Sequence, residues 1–144
     1  MVKNNTKQKN ISGKILKITR DSGANVKILK AMENEGYIKI HDVMLENGRE
    51  NKKVKNKILP VGVWDHARWD EAVWASSDCA YDEIRKIIGM NRVEDAMQIE
   101  AYIRNKHDYF VTEDNDFINK RDELNEKFGV KIVTPKELEK ICRK

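Results

Sequence analysis

The sequence predicts an α/β fold built on a mainly parallel central sheet. Two observations carry that prediction. Short apolar, strand-like runs alternate with amphipathic helical stretches along the chain, and parallel strands are joined by crossovers that are usually helices. The chain also ends on a sharply marked helix start, Thr134-Pro-Lys-Glu137, directly after an apolar run. Thr at the N-cap, Pro at the first helical position and Glu three residues on form a capping box.

Taken in order, Lys14 to Thr19, KILKIT, reads as a first strand. Ala24 to Glu35 follows as a helix with Val26, Ile28, Leu29 and Met32 as its apolar stripe. Gly36 breaks it before a second strand, Tyr37 to Ile40. The polar, basic run from Asn47 to Lys57, NGRENKKVKNK, reads as a loop or a frayed helix, and the apolar ILPVGVW after it is interrupted by Pro60 and Gly62.

The C-terminal third is more legible. Val93 to Lys106 places Ala96, Ile99 and Ile103 at helical spacing, with Met97 and Ala101 widening the stripe. Asp108 to Thr112 suits a strand, and Asp116 to Lys127 a polar helix anchored by Phe117 and Leu124. Gly129 stands where a helix C-cap glycine belongs, before a strand from Val130 to Thr134.

Composition bounds the function classes. A chain of 144 residues fits one domain that buries its core without disulfides or structural metal. Residues 1–12 are expected as a flexible basic tail and residues 13–144 as the single domain. The start, MVKNNTKQKN, lacks the apolar stretch of a secretory signal, and no apolar run reaches membrane-spanning length, so a cytoplasmic protein with no membrane partner is expected. Cys79 and Cys142 lie far apart and outside any CxxC spacing, which supports neither a disulfide framework nor a thiolate zinc site. A net charge of +4 permits a nucleic-acid partner without demanding one.

The chemistry gathers in Tyr109-Phe-Val-Thr-Glu-Asp-Asn-Asp-Phe117, where an apolar strand runs straight into acids. Open parallel sheets bind ligands beyond the carboxyl ends of their strands. Asp114 and Asp116 leave such an end, Asp95 opens the preceding helix, and Asp21 follows the first strand in ITRDS. Glu113 is left to solvent. Two unit charges ~4 Å apart repel by roughly 4 kcal/mol at an effective dielectric near 20. Protonation or a divalent cation must offset this, and Mg²⁺ and Mn²⁺ prefer oxygen ligands. Each acid also has a structural role available, at a helix N-terminus or cap.

Other residues weigh less. Trp64, Trp69 and Trp74 are core or interface residues, or a platform for unpaired bases. His66 beside Asp65, Asp70 and Glu71 lacks metal-ligand spacing. Arg49, Lys52, Lys53, Lys55 and Lys57 form a solvated loop or contact RNA phosphates.

The runs Asp95-Ala-Met-Gln-Ile-Glu-Ala101, Asp108 to Phe117 and Gly129-Val-Lys-Ile-Val-Thr-Pro-Lys-Glu137 together resemble the C-terminal half of PIN-domain ribonucleases. The resemblance is strongest over residues 91–140. It implies a three-layer α/β/α sandwich and a Mg²⁺- or Mn²⁺-dependent endoribonuclease site of about four acids. Asp95 matches the family's helix acid, Asp114 its Thr-x-Asp acid, Asp116 the additional acid, and Thr112 the residue that steadies the site. In place of the family's Asp-Thr-Asn after the first strand, this chain offers Asp21-Ser22. The early helical glutamate corresponds to Glu46 or Glu50. RNA is the implied substrate, and the partners the resemblance admits are an antitoxin protein, as for a toxin of a toxin-antitoxin pair, and a second copy of the chain. The alternative is a non-catalytic PIN-like module that binds RNA or protein because its acidic site is incomplete.

Overall fold

The run LKITR alternates its side chains across a strand, Ile18 and Arg20 to one face and Thr19 to the other, and with both faces covered it becomes the centre of a sheet. The computed structural model describes residues 14–21, 23–44, 54, 56–60 and 80–143. In chain order these form β1 (Leu16–Arg20), α1 (Val26–Asn34), β2 (Ile38–Val43), β3 (Asn56–Ile58), α2 (Tyr81–Ile88), α3 (Val93–Asn105), β4 (Tyr109–Val111), α4 (Asn115–Ile118), α5 (Arg121–Phe128), β5 (Ile132–Val133) and α6 (Pro135–Cys142). The five strands make one sheet in the order β3-β2-β1-β4-β5, and every pairing is parallel.

The sheet has helices on both faces, giving a three-layer α/β/α sandwich. Ile18, Ile38, Ile40 and Val111 meet Leu29 and Met32 of α1 and Leu138 of α6. On the other face Phe110 and Ile132 pack with Ile84 of α2, Ile99 and Tyr102 of α3 and Leu124 of α5. Met97 and Ala101 of α3 cover Val43 and Ile58. The register follows this alternation: Ile18 stands beside Ile40 on β2 and Tyr109 on β4, and a one-residue slip would turn every apolar side chain out of its layer. Asp108 pins the entry of β4, its carboxylate accepting from the Lys17 N–H at 2.8 Å.

The helix boundaries have local causes. Asn25 caps α1 by accepting from Lys27 N–H at 2.8 Å. The capping box of α6 is complete: Glu137 N–H donates to Thr134 Oγ1 at 3.1 Å, and Thr134 N–H to Glu137 at 2.9 Å. α3 stops at Lys106, which takes the left-handed conformation at φ 55°. Gly129 does the same after α5 at φ 73°, where a glycine has no steric cost.

Two expectations are corrected and one helix is new. Asn56 to Lys57, read as the end of a loop, begins the edge strand β3, whose identity comes from pairing His41 with Asn56 rather than from any apolar pattern. The helix expected from Asp116 to Lys127 is two helices, since α4 ends after one turn and Asn119-Lys120 separates it from α5. α2 was not anticipated, although Tyr81, Ile84 and Ile88 recur at helical spacing.

Candidate functional site

The strand order sets the site before any side chain is considered. The chain runs outward from β1 through β2 to β3, then returns to the other side of β1 for β4 and β5. β1 leads to α1 on one face while β4 leads to α4 and α5 on the opposite face. Connections that diverge in this way leave a crevice at the carboxyl ends of the two strands, the topological switch point where open α/β sheets bind ligands.

Asp21 is the first residue past β1, its N–H donating to Val111 O at 2.9 Å. Thr112 is the first past β4, its N–H donating to Val133 O at 3.0 Å. The Thr112 hydroxyl is fully buried and joins the two sides of the crevice: it donates to Asp21 Oδ2 at 2.7 Å and accepts from Asp114 N–H at 3.0 Å. Asp114 then caps α4, its Oδ1 accepting from Asp116 N–H at 2.9 Å. So Asp114 serves both as a cap and as a carboxylate at the crevice. Asp95 enters from the first turn of α3.

These acids act on one another. Burial pushes the Asp21 carboxyl above the ordinary range, and the charge on Asp114 adds to this against the hydrogen bond from Thr112. Asp95 is raised as well, first by burial and then by the charge on Asp21, and the Arg92 guanidinium does not cancel it. Arg92, the N-cap residue of α3, is shared among three carboxylates. It lies 2.8 Å from Asp95 Oδ2 and 3.5 Å from Asp114 Oδ2, and it also bonds Asp116 Oδ2. Burial opposes the Arg92 charge, yet the three carboxylates together raise its pKa.

Four of the anticipated acids, Asp21, Asp95, Asp114 and Asp116, are therefore brought to one crevice, with Thr112 at its floor and Asp116 on its exposed rim. Glu113 is exposed, as expected, and it also has a partner. Its Oε2 accepts from Asn25 N–H at 2.6 Å and so ties the β4 side of the crevice to the start of α1. Glu46, its alternative Glu50, and the basic residues Arg49, Lys52, Lys53 and Lys55 lie outside the described residues, as do the three tryptophans, His66 and Cys79. Lys57 is described, and its ammonium sits 3.8 Å from Asp42 Oδ2, turned to a buried carboxylate.

Two site residues were missed from sequence. Arg92 carries no sequence signal beyond a cation just before α3. Gln98 is buried on α3, where its side chain favours the charged form of Asp21. Its signal was position: it stands three residues after Asp95, one helical turn along the same face.

The donor chemistry suits a hard divalent cation, since the crevice offers carboxylate oxygens on mutually repelling groups. Among the described residues no three His, Cys, Asp or Glu side chains form a ready-made metal cage; Mg²⁺ requires only one or two carboxylates beside waters and substrate oxygens. No helix among the described residues is long and apolar enough to cross a membrane. In comparison with known proteins, no family model, no curated protein and no solved structure matches the chain.

Proposed function

We propose that the crevice hydrolyses RNA phosphodiesters, with one or two carboxylates of the set Asp21, Asp95 and Asp114 holding Mg²⁺ or Mn²⁺ beside waters and substrate oxygens, as in an endoribonuclease of PIN type. The observation that carries this is the bond from Thr112 Oγ1 to Asp21 Oδ2, which ties an acid from the end of β1 to the β4 end that carries Asp114. Capping accounts for Asp114 and the first turn of α3 for Asp95, but neither accounts for the buried Asp21 carboxyl set beside their charges.

The chain's own groups prepare the chemistry. Thr112 holds one oxygen of the Asp21 carboxylate, Oδ2, at 2.7 Å. Asp114 is held by its capping bond to α4, which leaves its second oxygen, Oδ2, toward Arg92 and the crevice. A divalent ion bound there supplies an activated water and neutralises charge on the phosphoryl oxygens. Asp116 on the rim adds negative charge near the entrance.

The test is hydrolysis of unpaired RNA by the purified protein with Mn²⁺ or Mg²⁺. Cleavage is expected to vanish in EDTA and to fall roughly a thousandfold in Asp114→Asn, the scale of losing a principal transition-state stabiliser. Activity unchanged by either contradicts the proposal. The second reading is a PIN-like module that binds RNA or protein without cutting, and the observation favouring it is Arg92, which already balances part of the acidic charge. RNA binding that persists in EDTA, with no cleavage under any metal, would select it.

A further inference from the structure

We infer that Arg92 is a built-in counter-cation of the crevice, which a divalent ion must displace from Asp95 and Asp114 before the site is loaded. This rests on the nuclease reading and adds a regulatory state to it. The guanidinium does not form an ordinary surface pair. Its Nη1 spans Asp95 Oδ2 at 2.8 Å and Asp114 Oδ2 at 3.5 Å, while Nη2 engages Asp116, so one cation joins acids from two separate segments.

The backbone aims it there. Arg92 N–H donates to Gly89 O at 3.1 Å, closing a tight turn after α2. Gly89 is at φ 126°, a conformation L side chains rarely adopt, and the aliphatic stem of Arg92 passes 3.7 Å from where a Cβ at Gly89 would stand. The turn therefore seats the side chain against the crevice, with about a third of it exposed and a path outward to solvent.

An incoming cation needs the oxygens that Arg92 engages and meets its charge at short range, so the two occupants exclude each other. A guanidinium spans separated carboxylate oxygens in a way that a single ammonium cannot. Arg92 then keeps the acids together without metal and sets the concentration at which metal enters.

The experiment measures Mn²⁺ binding by the EPR signal of the free ion, with thermal unfolding in EDTA and in Mn²⁺. Arg92→Gln is expected to bind Mn²⁺ about tenfold more tightly than the unaltered protein, the size of an ordinary coupling between two ligands. It should also melt lower in EDTA and gain more from Mn²⁺. Arg92→Lys, which retains the charge if the glutamine variant does not fold, is expected to bind more tightly than the unaltered protein as well. Arg143→Gln removes the same charge from the Glu35 and Glu139 pairs and should leave Mn²⁺ binding unchanged. Equal affinity in the Arg92 variants, or an equal rise in Arg143→Gln, overturns the inference and leaves the metal site standing. Absence of Mn²⁺ binding in every protein overturns the metal reading along with it.

Discussion

Two arginines separate the two uses of charge in this fold. Arg20 and Asp42, each about 2% exposed, meet as a fork: Nε to Oδ1 and Nη2 to Oδ2, both at 2.9 Å, with Nη1 donating to Ala24 O at 2.8 Å. Arg92 is one cation against three carboxylates, roughly a third exposed, beside Asp21, which accepts from the Thr112 hydroxyl. Arg20 and Asp21 are sequence neighbours. One belongs to a buried fork that positions β1 against β2 and α1, with Lys57 also 3.8 Å from Asp42; the other enters a cluster in which, among the described residues, acids outnumber the cation Arg92. Opposed charge in the interior serves the fold, whereas the excess of one sign at a strand end is what the proposed site would use a ligand to complete.

The largest expected effect tests the buried fork. Asp42→Ala leaves a guanidinium buried without its carboxylate and should cost about 3–5 kcal/mol in denaturant unfolding. A cost under ~1 kcal/mol would erase the contrast. Next is His107, on the other face of β1 from Arg20, where Thr19 Oγ1 meets its Nδ1 at 2.6 Å and the His41 ring packs at 4.3 Å. Burial, then the charges of His41 and Lys17 against that of Asp108, lower its pKa from 6.5 to about 4. The folded value lies below the unfolded one, so the unfolded chain binds the extra proton between them. Stability from this group is complete above pH 6.5 and is lost as pH falls toward 4. Allowing for the solvent that reaches the half-buried ring, the loss is about 2 kcal/mol and should be absent in His107→Gln.

The crevice predicts the opposite sign. Asp21 and Asp95 have folded pKa values raised above the unfolded ones, so their ionised forms cost stability at neutral pH and acidification relieves that cost. Asp21→Asn keeps an oxygen for the Thr112 hydroxyl and should stabilise the metal-free protein by roughly 1 kcal/mol at pH 7, as relief of a functional site commonly does. That gain should shrink as pH falls. A destabilised variant would mean that Asp21 serves the fold. The smallest effect belongs to Asp116, 58% exposed: Asp116→Ala should change stability by about 0.5 kcal/mol or less, despite its bond to Arg92.

How much of this could be read from sequence depended on where the information resides. β4, β5 and α6 were legible because apolar alternation, Gly129 and the capping box are local signals. β3 was not, since three residues with an exposed edge acquire strand identity from the partner alone. Asp21, Asp95 and Asp114 were legible as acids at strand and helix ends. Arg92 and Gln98 were not, because a cation before a helix and an amide within one look like surface residues until the strand order brings α3 over β1. The switch point itself is a property of connection order, which no single segment encodes.

The central claim, that the switch-point acids form a metal-dependent site, is tested most directly by the anomalous difference map of a crystal equilibrated with Mn²⁺. The account predicts a manganese peak between the carboxylates of Asp21, Asp95 and Asp114, with the Arg92 guanidinium moved off Asp95. Arg92 still bridging Asp95, Asp114 and Asp116 at saturating Mn²⁺, with no peak in the crevice, would contradict it.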